Sequence, residues 1–158
     1  MKAELKNAAY SLLSVAAAAA LGALLSADTE KNALSSNLPR FAPPAAVLPI
    51  LWAVLYLLTG YAFYLALSAR QPDPYARRGT VVTFLCGLLL SALWPMVFFR
   101  FQFFRLAFYL LIALLILGAF TQADFYKASR RAALCYLPYL GWLVFALLLT
   151  YAAARRSS

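Results

Sequence analysis

The 14 basic and 5 acidic side chains of this 158-residue chain gather in six short clusters and leave five charge-free runs between them. The runs are Asn7–Ala27, Phe41–Ala69, Gly79–Phe99, Leu106–Ala123 and Ala132–Ala154. A helix rises about 1.5 Å per residue, so about 20 apolar residues cross a hydrocarbon core of about 30 Å. Each run is near that length or above it. A charge at mid-bilayer costs at least about 2.5 kcal/mol, which accounts for the expulsion of every one to the run ends. Transmembrane β-strands alternate apolar and polar residues over about ten positions, and these runs do not alternate. The chain therefore reads as all-α, a polytopic membrane protein built as a bundle of five transmembrane helices. The spans fall at approximately 7–27, 44–69, 79–99, 106–123 and 132–154, in one domain covering 1–158.

Composition agrees, with 65% hydrophobic and 12% charged residues against about 25% charged in soluble domains. In a soluble protein the net charge of +9 would point to nucleic acid. Here the cations flank spans, where Lys and Arg meet lipid phosphates, so the partner is the bilayer and no nucleic acid is expected. The N-terminus and the loops at 70–78 and 124–131 hold eight Lys and Arg, and the opposite side holds six. That excess places the N-terminus in the cytoplasm. Cys86 and Cys135 lie inside spans, far apart, and the chain has no His. They read as small buried hydrophobes, with no metal site and no resident cofactor. The first run resembles a secretory signal in its Lys2/Lys6 start and its small-residue end, but its 21 uncharged residues favour a retained helix. An N-terminus with Lys and Glu4 rather than an Arg-rich leader points to a bacterial cell envelope rather than a mitochondrial outer membrane.

Prolines punctuate the spans. Pro43-Pro44 opens the second, Pro49 is expected to bend it a turn further in, and Pro95 and Pro138 are placed to kink the third and fifth. The loop 28–40 is the longest connection. Three tryptophans each lead a stripe at helical spacing: Trp52 with Tyr56; Gly87, Ser91, Trp94 and Phe98; Pro138, Trp142, Phe145 and Leu149. Three aromatic faces on three helices can wall a flat apolar pocket. The alternative is interfacial anchoring, because Trp and Tyr belt both membrane surfaces. Gly87 and Ser91 also make a small-xxx-small step suited to a dimer seam.

The order of these groups carries a resemblance. Leu38-Pro39-Arg40-Phe41-Ala42-Pro43-Pro44 followed by Trp52-Ala53-Val54-Leu55-Tyr56 resembles the loop-to-second-helix motif of the TspO/MBR family, also called the translocator protein, peripheral benzodiazepine receptor or tryptophan-rich sensory protein family. Trp94-Pro95-Met96-Val97-Phe98-Phe99 with Gln102 is similar to its third-helix motif, and Leu137 through Ala146, ending at Tyr151, to its fifth. The chain departs from the family in lacking aromatics at Asn32-Ala33-Leu34-Ser35 and in carrying Phe41, Ser91, Tyr109 and Thr150 where relatives carry Trp, Asn, an acid and Asn.

The resemblance implies binding of tetrapyrroles such as protoporphyrin IX, and of isoquinoline or benzodiazepine-type ligands, in a pocket under the first loop. The implied lining is Pro43, Leu48, Trp52, Tyr56, Ser91, Trp94, Phe98, Trp142, Phe145 and Ala146. It also implies a homodimer through the third helix and a sterol motif at Leu149, Tyr151 and Arg155. A receptor or sensor is the favoured class, with porphyrin as candidate ligand. The alternatives are light- and oxygen-dependent porphyrin breakdown and passive transport of porphyrin or sterol. The spans hold no carboxylate or His, so no catalytic residue of the acid–base kind is expected, and proton-coupled transport is disfavoured.

Overall fold

The computed structural model describes residues 2–26, 42–44, 47–69 and 74–156. The loop 28–40, with the Leu38–Phe41 part of the second-helix motif, lies outside the described residues. Five helices are long and apolar enough to cross a membrane. They are α1 (Lys2–Ser26), α2 (Val47–Ser68), α3 (Pro74–Pro95), α4 (Phe104–Ala128) and α5 (Arg130–Arg156). No strand occurs among the described residues.

The helices end where backbone chemistry requires rather than where charge begins. Pro74 takes the first position of α3, where its missing N–H costs nothing. Pro49 lies in the first turn of α2, where the N–H would have no helical partner. After Pro95, α3 passes into a π-helical turn at Met96–Arg100. That turn closes with Phe103 N–H donating to the Val97 carbonyl, while Gln102 sits at φ 52° in the left-handed region. This is a helix stop of the kind usually given to Gly. Between α4 and α5 a single extended residue, Ser129, receives and starts the chain: its N–H donates to Phe125, and Ala133 donates back to its carbonyl.

Each helix packs against two neighbours in the circular order α1, α2, α5, α4, α3. Helices approach most closely at glycines. A Cβ on Gly118 would lie 2.7 Å from a Leu140 methyl, and one on Gly60 would lie 3.2 Å from Val15. The half of the bundle bearing the α4–α5 turn is filled by an aromatic core. Phe63 and Phe84 stack at 4.1 Å, with Phe125 beside both and Tyr136 edge-on to Phe125 at 5.1 Å. At this end Asn7 and Arg77 both donate to the Leu67 carbonyl, tying the start of α1 and of α3 to the last turn of α2. Hydroxyls on Ser14, Thr80 and Thr121 return to carbonyls four residues back, so a dry environment strands none of them.

Candidate ligand pocket

At the opposite end, the first turns of α2, the last turns of α3 and the C-terminal half of α5 bring the three indoles together. Trp52 stands between the others, 6.4 Å from Trp94 and 6.1 Å edge-on from Trp142. A small cavity opens among them, lined by Ala42, Pro43, Leu48, Trp52, Trp94, Phe99, Trp142, Phe145, Ala146 and Leu149. Its volume is about 20 Å³, on a scale where one water needs about 10–15 Å³. The indoles thus nearly fill their own pocket.

Seven of the ten residues named from sequence line the cavity: Pro43, Leu48, Trp52, Trp94, Trp142, Phe145 and Ala146. Tyr56 and Ser91 form a floor beneath it. The Tyr56 ring is 5.6 Å from Trp52, and its hydroxyl meets Ser91 Oγ at 3.3 Å. Phe98 lies behind the wall, stacked on Trp94 at 4.9 Å and packed edge-on against Phe99 and Phe104. The cavity wall is taken instead by the next residue, Phe99, which meets Trp94 edge-on at 5.9 Å.

Ala42, Phe99 and Leu149 are lining residues the sequence did not single out for the pocket. Leu149 was visible in the α5 stripe, but the same stripe included Pro138, which is exposed from the bundle and lines nothing. Leu149 faces inward at 7% exposure, whereas Tyr151 and Arg155 face outward. The three residues of the sterol motif therefore do not share one surface. Gly87 and Ser91 are both buried, with Ser91 fully so. A dimer seam through that pair fails because Ser91 is committed to Tyr56; the outward residues of α3 include Val82, Cys86 and Leu89.

The pocket's polar chemistry rests on two atoms. Trp94 Nε1 and Trp142 Nε1 are both buried without a hydrogen-bond partner among the described residues. An unsatisfied buried donor costs about 1–3 kcal/mol. Both sit on indoles that face the cavity, so an acceptor on a guest would relieve them. The site can grip a flat apolar body between rings and hold its polar edge by N–H donors.

The pattern characteristic of the TspO/MBR family matches residues 11–156. Relatives include the tryptophan-rich protein TspO of Archaeoglobus fulgidus, 34% identical over 114 residues covering 72% of each chain. The tryptophan-rich sensory protein of Cereibacter sphaeroides is 29% identical over 91% of this chain and 87% of its own. The translocator protein of Bos taurus is 31% identical over 72% of this chain and 67% of its own. The chain is a multi-pass integral membrane protein and belongs to the TspO/MBR family.

Proposed function

We propose that the protein is a membrane receptor or sensor that takes a flat hydrophobic ligand of the tetrapyrrole class, such as protoporphyrin IX, into the indole-lined cavity. Isoquinoline and benzodiazepine-type molecules share the required shape. The observation that carries this reading is the convergence of Trp52, Trp94 and Trp142 from three helices on one cavity, two of them with N–H groups that find no partner among the described residues. The name tryptophan-rich sensory protein, borne by the Cereibacter sphaeroides relative, supports the sensory half of it.

Drug-sized ligands occupy pockets of about 300–1,000 Å³, so a cavity of about 20 Å³ must open for a tetrapyrrole to enter. Binding then selects a separated arrangement of the indoles, and apparent affinity falls by the fraction of time that arrangement exists. Where that movement also shifts α2 against α5, occupancy becomes a signal.

The test is titration of the purified protein with protoporphyrin IX, reading intrinsic tryptophan fluorescence. Saturable quenching, weakened in Trp52→Phe and Trp142→Phe, is expected. Fluorescence that declines only linearly with added porphyrin would refute a bound complex. Indoles in contact also suit electron transfer to an excited ligand, the enzymatic alternative. Loss of porphyrin absorption under light, abolished in the same two variants, would favour that reading over a sensor. Uptake into protein-bearing liposomes above empty ones would favour passive transport. We further read the membrane as a bacterial envelope, the N-terminus as cytoplasmic and the assembly as a homodimer through the outward face of α3. Cysteine cross-linking at Val82 or Leu89, exposed at 58% and 52%, tests the last.

A further inference from the structure

At each end of α5 a guanidinium lies over a tyrosine ring. Arg130 Cζ is 5.8 Å from the centroid of Tyr126, and Arg155 Cζ is 6.0 Å from that of Tyr151. Both rings are exposed from the bundle, at 57% and 49%. Neither arginine makes an ion pair or a side-chain hydrogen bond among the described residues. A guanidinium at about 6 Å from a ring centroid is within cation–π reach, and its N–H fork has the geometry that matches a phosphate.

The two arginines are 25 residues apart on one helix (130 to 155). At 3.6 residues and 5.4 Å per turn they lie within about 20° of the same face and about 37 Å apart. The hydrocarbon core is about 30 Å thick, and about 40–45 Å with headgroups. The spacing therefore sets one guanidinium at the phosphate level of each leaflet. Between them the same face carries Leu134, Leu137, Val144 and Leu148, each 46–65% exposed. It also carries Gly141, whose side-chain direction meets nothing within 4 Å.

We propose that this face of α5 is a phospholipid seat, holding one anionic headgroup at Arg130 and another at Arg155, with acyl chains laid along the stripe from Leu134 to Leu148. Charge selects the occupant. At the end of the bundle that holds Arg155 the other described charged residues are Arg100 and Arg105, with no acid. Near Arg130 the described acid is Asp124, and Lys127 takes it up at 3.9 Å. A second copy of the chain docked in parallel on this face would bring like charges together at both ends.

The experiment is native mass spectrometry of the full chain equilibrated with equal phosphatidylglycerol and phosphatidylcholine. Wild type should retain up to two phosphatidylglycerols in preference to phosphatidylcholine. Arg130→Gln and Arg155→Gln should each lose one of them, with about fivefold weaker retention per arginine removed. Arg155→Lys, which keeps the charge without the planar fork, should fall between. Arg78→Gln, an exposed cation with no ring in cation–π reach among the described residues, should match wild type, and circular dichroism should show unchanged helicity in all four. Equal retention of the two lipids would overturn the seat, as would an equal loss in Arg78→Gln. Displacement of the lipid by millimolar inorganic phosphate would reveal a free-anion site and overturn it too.

Discussion

Trp142→Phe separates hydrogen bonding from stacking in the pocket. It removes a buried indole N–H that has no partner among the described residues and leaves an aromatic ring against Trp52 and Phe145. A hydrogen bond to an ionised acceptor contributes about 1.5–3 kcal/mol, and one to a neutral acceptor about 0.5–1.5 kcal/mol. If that N–H meets a propionate of protoporphyrin IX, the substitution should weaken binding by about 10- to 150-fold. For the dimethyl ester, whose acceptor is neutral, the loss should be about 2- to 12-fold. The ratio of the two losses decides the question. Both ligands meet the same unliganded protein, so relief of the stranded donor, the smaller ring and any change in opening cancel between them. The assay is quenching of the remaining Trp52 and Trp94 emission at one fixed detergent concentration. Equal loss for acid and ester would refute the donor role and leave Trp142 as a stacking surface alone. Trp94→Phe, tested the same way, reports on the second donor.

Gly118→Ala gains about 1 kcal/mol of helix propensity but brings a Cβ to 2.7 Å from a terminal Leu140 methyl, which must swing aside. Its unfolding midpoint in detergent should therefore rise less than that of Gly79→Ala, which meets nothing within 4 Å; an equal rise in both would refute the close approach of α4 and α5. Gln102→Gly should stabilise by about 1 kcal/mol, because φ 52° strains any residue with a Cβ, and Gln102→Val should destabilise in the same denaturation assay. Phe98→Ala and Phe99→Ala should each cost about 3–5 kcal/mol of stability, yet only Phe99→Ala should change porphyrin affinity several-fold, since Phe99 alone of the two lines the cavity.

Five spans were legible because the bilayer sorts charge so severely that the runs between clusters mark the helices. Their ends were less legible, since a helix does not stop where a cation appears. Thus α3 begins at Pro74 and carries Arg77 and Arg78, and α4 continues through Asp124 and Lys127 to Ala128. The aromatic stripe that each tryptophan leads was legible in 3.6-residue spacing within its own helix, but spacing left a shared pocket and interfacial anchoring both open, and only the packing of the helices brings the three indoles together. The same spacing put Phe98 over Trp94, where it stacks, but could not tell that Phe99 rather than Phe98 borders the cavity. It also grouped Pro138 with Trp142, a position at the border of the stripe that faces outward. Ser91 looked available to a dimer because small residues are ambiguous. Only its neighbour across the bundle, Tyr56, resolves that.

Inside a membrane a polar atom has no water to turn to, so where the bundle leaves such atoms unpaired is informative. Most side-chain polar groups are answered locally: Ser11 by the Gly60 carbonyl, Asn7 by Leu67, the Gln122 amide by Ala133, and Tyr56 and Ser91 by each other. Four buried atoms have no partner among the described residues, namely Trp94 Nε1, Trp142 Nε1, Thr150 Oγ1 and Gln122 Oε1. Two of them belong to the pocket wall, and Thr150 follows the lining residue Leu149 on α5. Packing is also incomplete there, with Trp52, Trp142 and Phe145 only half-buried, whereas Phe63 and Phe125 at the other end are fully enclosed. A purely apolar guest would restore contacts and leave the N–H groups stranded. A small polar guest would pair them without the area needed to hold the indoles apart. Both deficits would be met by one kind of molecule, broad and aromatic in its body with an acceptor at its edge, which is the class proposed above as the ligand.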